Sequence, residues 1–148
     1  MTLAIISIGS NIDPELNIFK AKDLLLKAFN SCKFSSIYKS PAEGFEGPEF
    51  HNLALSIVTE LNPGQLNILL KVLEKKLGRD ETQRKFVNRV IDLDLIMYDD
   101  LIYSENGLEL PSSDILEYLF VLKPVHEIAG DLRHPISKKT FTQILEEF

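Results

Sequence analysis

The sequence predicts an α+β fold, a ferredoxin-like antiparallel sheet backed by helices, with an extra hairpin and C-terminal helices. The order of the elements predicts this class, and the length predicts the number of domains. Short apolar runs alternate with stretches of helical spacing in the order strand, helix, strand, loop, strand, helix, loop, strand. The chain also has 148 residues, the length of one domain, with no internal repeat or linker. Residues 1–148 are therefore expected to form a single domain.

The N-terminal part of the chain is predicted to hold a strand, a helix and a second strand that ends in a loop. The β-branched run at 3–8 predicts a buried strand, and the spacing of apolar residues after Pro14 predicts a helix. A second strand is expected over residues 33–38. Two prolines and two glycines within residues 41–48 then indicate an irregular loop.

The central and C-terminal parts continue this alternation. Residues 52–61 alternate between two faces as a strand does. Asn62 and Pro63 are typical of a helix start, and Gly78 is typical of a helix end. The later elements are expected in this order: a polar loop at 79–89, a strand at 90–98, a hairpin turning at 105–107, and helices near 113–129 and 138–147.

The composition argues against several function classes. The chain has 16 basic and 22 acidic residues, a net charge of −6, which argues against a nucleic-acid partner. The single Cys32 cannot form an intramolecular disulfide, and no Cys/His cluster has zinc spacing. No apolar run is long enough to span a membrane, and the N-terminus lacks the basic region of a signal peptide. We therefore expect a cytoplasmic protein with no membrane partner.

The strand at 90–98 carries the clearest chemical signal, two aspartates separated by one residue. With a period of two, Asp92 and Asp94 share one face of the strand. The alternate apolar residues are expected on the other face: Ile91, Leu93, Leu95 and Met97. Two neighbouring carboxylates repel each other unless a cation lies between them, and carboxylate and phosphate oxygens are ligands that Mg²⁺ prefers. The alternative is an ordinary solvated strand face.

Charge is unevenly distributed around these aspartates. Residues 71–89 contain seven basic and three acidic side chains, a net charge of +4, whereas residues 91–118 contain eight acidic and no basic ones. A basic segment that leads into an acidic strand suits a site for a metal-bound polyphosphate. Arg89, at the start of the strand, is therefore predicted to serve that site. For Lys75 and Lys76 we favour the solvated face of a helix.

A second group of residues is suited to binding a flat heterocycle. Phe50 and Asn52 share one face of a strand start, where a ring can stack on the phenyl group and hydrogen-bond to the amide. The segment that begins at Phe120 has the same two interpretations, ring binding or core packing. His51 lies beside this edge, and its role stays open. His134 is expected to be structural.

Five short motifs occur in order along essentially the whole chain. They are Gly9-Ser10-Asn11, Ser40-Pro41, Phe50-x-Asn52, Arg89-x-x-Asp92-x-Asp94 and Phe120-Val121-Leu122-x-Pro124. Together they resemble the motifs of the 6-hydroxymethyl-7,8-dihydropterin pyrophosphokinase family, and the Arg-x-x-Asp-x-Asp element is the most specific of them. The resemblance implies a ferredoxin-like α+β fold. It also implies a folate-pathway enzyme that transfers pyrophosphate from ATP to the pterin hydroxymethyl group and releases AMP.

The resemblance implies roles for residues on the nucleotide side. Asp92 and Asp94 would hold two Mg²⁺ ions that bridge the triphosphate of ATP, the co-substrate. Arg89 would contact phosphate or substrate and, with the two aspartates, form the catalytic set. The other implied nucleotide contacts are Glu74, Arg79, Lys85 and Leu95.

The resemblance also implies a pterin site. Phe50 and Phe120 would enclose the pterin ring, and Asn52 would bind its polar edge. The loop backbone between Ser40 and Glu43 would complete the pocket. The expected partners are these small molecules alone, and the chain is expected to act as a monomer.

Several positions depart from the family pattern on the nucleotide side. Glu81 occupies a position that is usually arginine, and Gly107, Ser112 and Tyr118 stand where the family has Arg, His and Arg. The retained metal and pterin positions favour an active enzyme. Two alternatives stay open: a non-catalytic relative that binds pterin or nucleotide, and a related transferase with a different donor or acceptor.

Overall fold

The computed structural model describes residues 1–78 and 90–148, which form two antiparallel sheets. The strands of the main sheet are β1 (Thr2–Ser10), β2 (Cys32–Phe34), β3 (Tyr38–Ser40), β4 (Phe50–Thr59) and β5 (Asp92–Tyr98). The small hairpin consists of β6 (Tyr103–Glu105) and β7 (Leu108–Leu110). In the main sheet the order is β2-β4-β1-β5, and β3 also pairs with β4. Among the described strands, this order leaves β5 at an edge.

Helices cover both faces of the main sheet. On one face lie α1 (Pro14–Ala28) and α2 (Pro63–Lys76), and on the other lie α3 (Asp114–Glu117), α4 (Leu119–Ala129) and α5 (Phe141–Glu147). Alternate strand residues enter the two cores because successive side chains point to opposite faces. Ile6 and Leu55 pack with α1 and α2, whereas Ile5 and Ala54 pack with α4 and α5. The fold therefore has three layers.

The predicted fold class is confirmed, and two of the predicted elements are each divided into two. The strand expected over 33–38 is divided into β2 and β3. Ser35 separates them because its Oγ accepts a hydrogen bond from the Ala54 N–H at 2.9 Å, a role that a backbone carbonyl has in a regular ladder. The helix expected over 113–129 is divided at Tyr118, whose backbone is extended with φ −124° and ψ 123°.

The strict alternation predicted for β5 holds up to Leu95 and then fails. Ile6 of β1 pairs with Leu95 and Ile5 pairs with Met97, so Ile96 is an extra residue in a β-bulge. The bulge places Met97 in the same core as Ile96, on the side of α4, and not with Leu93 and Leu95. The bulge lies C-terminal to both aspartates, so Asp92 and Asp94 keep the common face that the sequence predicts.

The ranges that the structure describes contain no helix with the length and apolar character needed to cross a membrane.

Candidate active site

A cavity opens between the main sheet and the N-terminal end of α4. Its polar lining comes from Ser7, Ser40, Glu43, Asn52, Asp92, Asp94 and Asp114, and its aromatic lining from Phe45, Phe50, Tyr118 and Phe120. Seven of the residues predicted from the sequence therefore meet in one place: Ser40, Glu43, Phe50, Asn52, Asp92, Asp94 and Phe120.

One side of the cavity, here called the aromatic half, consists of Ser40, Phe50, Asn52 and Phe120. Asn52 on β4 is 5% exposed, and its Nδ2 donates to the Tyr38 carbonyl at 3.1 Å and to Ser40 Oγ at 2.8 Å. These two hydrogen bonds use both amide protons and fix the orientation of the side chain. The aromatic half is therefore held in place by the protein itself.

Two further aromatic rings support this half. Phe45 meets Phe50 edge to face, with ring centroids 6.4 Å apart. Tyr118 packs against Phe120 with centroids 4.9 Å apart and an angle of 30° between the rings. Sequence reasoning missed Tyr118 as part of the aromatic wall, because its place in the family pattern indicates only the loss of a cation. Both contacts restrict the rings that border the cavity.

The Gly9-Ser10-Asn11 motif, expected as a turn, lies at the end of β1, where Gly9 lines the cavity and the side chains of Ser10 and Asn11 are structural. Ser10 Oγ donates to the Val90 carbonyl at 2.6 Å, just before β5, and Asn11 Nδ2 donates to the Pro48 carbonyl at 3.1 Å. A Cβ atom added at Gly9 would lie 3.6 Å from Asn52 Oδ1 and 3.8 Å from the Phe50 ring. The end of β1 therefore holds both the start of β5 and the loop before β4. Gly9 keeps the space beside the aromatic half open.

Asp92 and Asp94 line the other side of the cavity, and Glu74 on α2 lies beside them without lining it; these three residues are here called the carboxylate half. One oxygen from each of these side chains lies within 4.8 Å of the others. Glu74 on α2 is 4% exposed and accepts a hydrogen bond from the Leu93 N–H at 2.6 Å. Because three hard oxygen donors converge, the donor set fits a magnesium ion better than a softer metal.

Crowding of negative charge shifts the ionisation of this half. Desolvation and the neighbouring Asp92 carboxylate raise the pKa of Asp94 to about 7, although Lys71 opposes the shift. Desolvation would lower the pKa of Lys71, but the Asp94, Glu74 and Asp92 carboxylates outweigh it and raise this pKa. Lys71 is thus part of the same charge cluster, a role that sequence reasoning missed.

Several predicted residues lie elsewhere or outside the described ranges. Leu95 is 4% exposed, and its side chain lies in the core with α1 and α2 and does not line the cavity. His51 does not line the cavity, is 8% exposed, and has no hydrogen-bond partner for Nδ1 within residues 1–78 and 90–148. Three predicted residues lie outside the described residues: Arg79, Lys85 and Arg89.

The residues that depart from the family pattern lie in different parts of the fold. Gly107 occupies the hairpin turn with φ +77°, a conformation that glycine adopts without strain. The Ser112 N–H donates to the Ile96 carbonyl at 2.8 Å and so ties the start of α3 to the bulge of β5. Tyr118 lines the cavity itself. Glu81 lies outside the described residues.

Comparison with known structures agrees with the fold. The chain superposes on the wild-type HPPK-DHPS of Plasmodium falciparum with a TM-score of 0.75 and 12% sequence identity, covering 99% of this chain and 41% of that one. A second structure of that protein, with pteroate, gives a TM-score of 0.73 at 12% identity, covering 99% of this chain and 42% of that one. At this identity the likeness shows the fold alone.

Comparison of sequences identifies the family. The chain is 34% identical over 145 residues to the folic acid synthesis protein fol1 of Pneumocystis carinii, covering 96% of this chain but only 20% of that protein. It is 32% identical over 149 residues to the 2-amino-4-hydroxy-6-hydroxymethyldihydropteridine pyrophosphokinase of Aquifex aeolicus (strain VF5), covering 99% of this chain and 92% of that one. These matches confirm the resemblance inferred from the motifs. The family consists of ATP-dependent diphosphotransferases of folate synthesis. Residues 5–130 match the sequence model of the 7,8-dihydro-6-hydroxymethylpterin-pyrophosphokinase (HPPK) family, and the chain belongs to this family.

Proposed function

We propose that the cavity is the site where pyrophosphate passes from ATP to 6-hydroxymethyl-7,8-dihydropterin, with the pterin in the aromatic half and magnesium-bound ATP at the carboxylate half. The observation that carries the proposal is that Phe50 and Phe120 line the same cavity as Asp92 and Asp94. Direct transfer needs the acceptor hydroxyl and the triphosphate within one enclosure. A single cavity with one aromatic and one acidic side meets that need.

The pterin ring lies between Phe50 and Phe120 in this proposal. Stacking suits a flat heterocycle, and two facing rings remove both of its faces from water. Asn52 Oδ1 accepts from the amino and ring N–H groups of the pterin edge, since both Nδ2 protons already bind Tyr38 and Ser40. The backbone between Ser40 and Glu43 supplies further contacts to that edge.

Asp92 and Asp94 hold two Mg²⁺ ions in this proposal, and Glu74 supports them from α2. When bound, the ions neutralise the charge of the triphosphate and of the developing transition state. The three carboxylates supply the required hard oxygens, and their mutual repulsion is relieved by a divalent cation. The nucleotide contacts proposed from the family resemblance are Arg79, Lys85, Arg89 and the backbone of Leu95.

The reaction requires positioning more than covalent participation by the protein. The pterin hydroxyl oxygen forms a bond to the β-phosphorus of ATP, the bond from that phosphorus to the α–β bridging oxygen breaks, and AMP departs. The hydroxyl proton is released to solvent as the new bond forms. The aromatic half fixes the acceptor, and the carboxylate half fixes the phosphates, so that the two reacting atoms are held in line.

The proposal includes a single domain over residues 1–148 that acts as a cytoplasmic monomer. In support of one domain, the two cores lie on opposite faces of the same sheet and share its strands. ATP, the co-substrate, is a cytoplasmic metabolite.

An AMP-release assay with ATP, Mg²⁺ and hydroxymethyldihydropterin tests the proposal. The Asp94→Asn variant is expected to lose about a thousandfold in kcat/KM, since removal of a metal-binding charge forfeits several kcal/mol of charge stabilisation. Asp99→Asn is the matched control, because Asp99 is an exposed aspartate just after β5 with φ +49°, which asparagine adopts readily. Pterin binding without AMP release by the unmodified protein, or equal activity of both variants, would overturn the proposal.

A further inference from the structure

Both backbone hydrogen-bonding groups of one residue at the open edge of the sheet are bound by side chains of α2. The Leu93 N–H donates to Glu74 Oε2 at 2.6 Å, and the Leu93 carbonyl accepts from Lys71 Nζ at 3.3 Å. Because β5 is the edge strand of this sheet among the described elements, these two side chains take the place of a further strand. The clamped residue lies between Asp92 and Asp94, so α2 sets the position of both carboxylates.

Lys71 also bridges the carboxylates themselves. Its Nζ lies 3.3 Å from Glu74 Oε2 and 3.4 Å from Asp94 Oδ1. The Glu74 side chain is 6% exposed, so its charge is costly without a partner, whereas the Lys71 side chain is 41% exposed. The ammonium group therefore sits at the surface of the cluster and neutralises oxygens that converge toward one point.

We propose that Lys71 is a positioning residue that stands in for the metal: its ammonium holds Asp94 and Glu74 together until magnesium-bound ATP arrives, and then turns to the phosphates. This inference rests on the proposed function, because it takes the carboxylate half as the metal site. It goes further by giving a role to a residue outside the five motifs.

The geometry allows such an exchange. The contacts of Nζ with Glu74, Asp94 and the Leu93 carbonyl are at the long end of hydrogen bonding, between 3.3 and 3.4 Å. The lysine side chain is flexible, and its partly exposed head group can reorient without moving α2. A lysine released from Asp94 adds a positive charge beside the triphosphate, where the family pattern has lost cations at the positions of Gly107 and Tyr118.

The test is a comparison of two affinities in the Lys71→Met variant. Mn²⁺ alone, followed by electron paramagnetic resonance, is expected to bind roughly threefold to tenfold more tightly, because a competing cation is gone. Magnesium with α,β-methylene-ATP, followed by calorimetry, is expected to bind roughly threefold to tenfold more weakly, because the phosphates lose a positive charge. A lysine that merely holds α2 to β5 would weaken both affinities together.

Three further variants keep the test decisive. Lys71→Gln removes the charge while it keeps a donor, so it should reproduce both shifts even if Lys71→Met does not fold. Lys71→Arg keeps the charge and should stay within about twofold of the unmodified protein in both measurements. Lys27→Met removes an exposed lysine that pairs with Asp23 at 2.9 Å, and it should change neither affinity.

The outcomes separate this inference from the proposed function. If the unmodified protein has no Mn²⁺ site that Asp94→Asn abolishes, the proposed metal site is wrong and the role of Lys71 is wrong with it. If that site exists but the uncharged variants leave Mn²⁺ affinity unchanged or lower it, the metal site stands and only the role of Lys71 is overturned.

Discussion

The two halves of the cavity differ in their chemistry: neutral hydrogen bonds and aromatic rings form one, and acidic side chains crowd together in the other. In the aromatic half, both amide protons of Asn52 have partners within the protein, and Phe50 and Phe120 are each supported by another ring. In the carboxylate half, three acids converge within 4.8 Å, and the pKa of Asp94 is raised to about 7. The residues of the aromatic half are thus held in place by contacts within the protein. The described residues of the carboxylate half are three acids, with Lys71 as their partner of opposite charge.

This difference suggests how binding energy is used at each end. A preformed apolar wall binds a ring without the cost of ordering side chains. Converged carboxylates cost stability in the free protein and recover it when a cation binds, since a ligand stabilises the state that it prefers. The aromatic half should therefore respond to loss of apolar contact, and the carboxylate half to changes of charge and pH.

The largest effect that separates the halves is expected from Phe120→Ala. Loss of one face of the ring site should weaken pterin binding by about thirtyfold to a hundredfold, which corresponds to the roughly 2–3 kcal/mol typical of a buried aromatic contact. Calorimetry with the pterin measures it. Mn²⁺ affinity should stay unchanged, because Phe120 has no part in the carboxylate half.

Phe19→Ala on α1 serves as the control, since Phe19 is 72% exposed. It should leave pterin affinity unchanged. Equal losses in the two variants, or a parallel loss of Mn²⁺ binding in Phe120→Ala, would show that the two halves do not act separately.

A smaller effect, on stability, is expected from Asp94→Asn. The pKa of Asp94 is about 7 in the folded protein and near 3.8 in the unfolded chain, so the folded state holds the proton more tightly between these values. Stability of the metal-free protein should therefore fall as pH rises through this window. An asparagine side chain does not ionise, so the variant should be more stable than the unmodified protein at about pH 8 and equally stable at about pH 4.

Solvent screening sets the size of this effect. Almost half of the Asp94 side chain is exposed, 45%, so we expect roughly 1 to 2 kcal/mol at about pH 8 rather than the full value of the shift. Denaturant unfolding of the metal-free protein at several pH values measures it. A pH-independent difference between the two proteins would contradict the charge crowding inferred for the carboxylate half.

Local rules predict two pairs of residues in the cavity, Phe50 with Asn52 and Asp92 with Asp94, whereas Ser40 and Phe120 are expected there only from the family resemblance. A strand places Phe50 with Asn52, and Asp92 with Asp94, whatever the rest of the fold does. The common face of the aspartates survives because the bulge lies after them, at Ile96. The predicted face of Met97 is wrong because Ile96 is an extra residue in the strand. An alternating apolar pattern gives no sign of such an insertion.

The contacts of Lys71 could not be predicted in the same way. Lys71 and Glu74 are three residues apart on a helix, a spacing that ordinarily indicates an exposed ion pair. Their contacts with Leu93 and Asp94 cross to β5 and depend on how α2 packs against the edge of the sheet. The role of Ser35 between β2 and β3 likewise depends on a distant partner, the Ala54 N–H.

The smallest effect concerns the support of the aromatic half by Glu127 on α4. Its carboxylate accepts from Tyr38 Oη at 2.6 Å and from the Ser36 N–H at 2.8 Å, which ties β3 to α4. Ser40 and Phe120 lie on these two elements, so the tie sets the width of the ring site. Glu127→Gln keeps an acceptor but loses the charge, and the pterin KM should rise by about twofold to threefold with kcat unchanged.

A second readout shows whether the tie itself has changed. The hydrogen bond to Glu127 is the main cause that raises the pKa of Tyr38 to about 12, so this pKa should fall toward the usual tyrosine value in Glu127→Gln. Ultraviolet titration of tyrosinate follows it. Glu146→Gln, an exposed change on α5, should alter neither quantity. If the pKa falls while KM stays constant, the aromatic half keeps its width without this tie, and its rigidity comes from Asn52 and the paired rings alone.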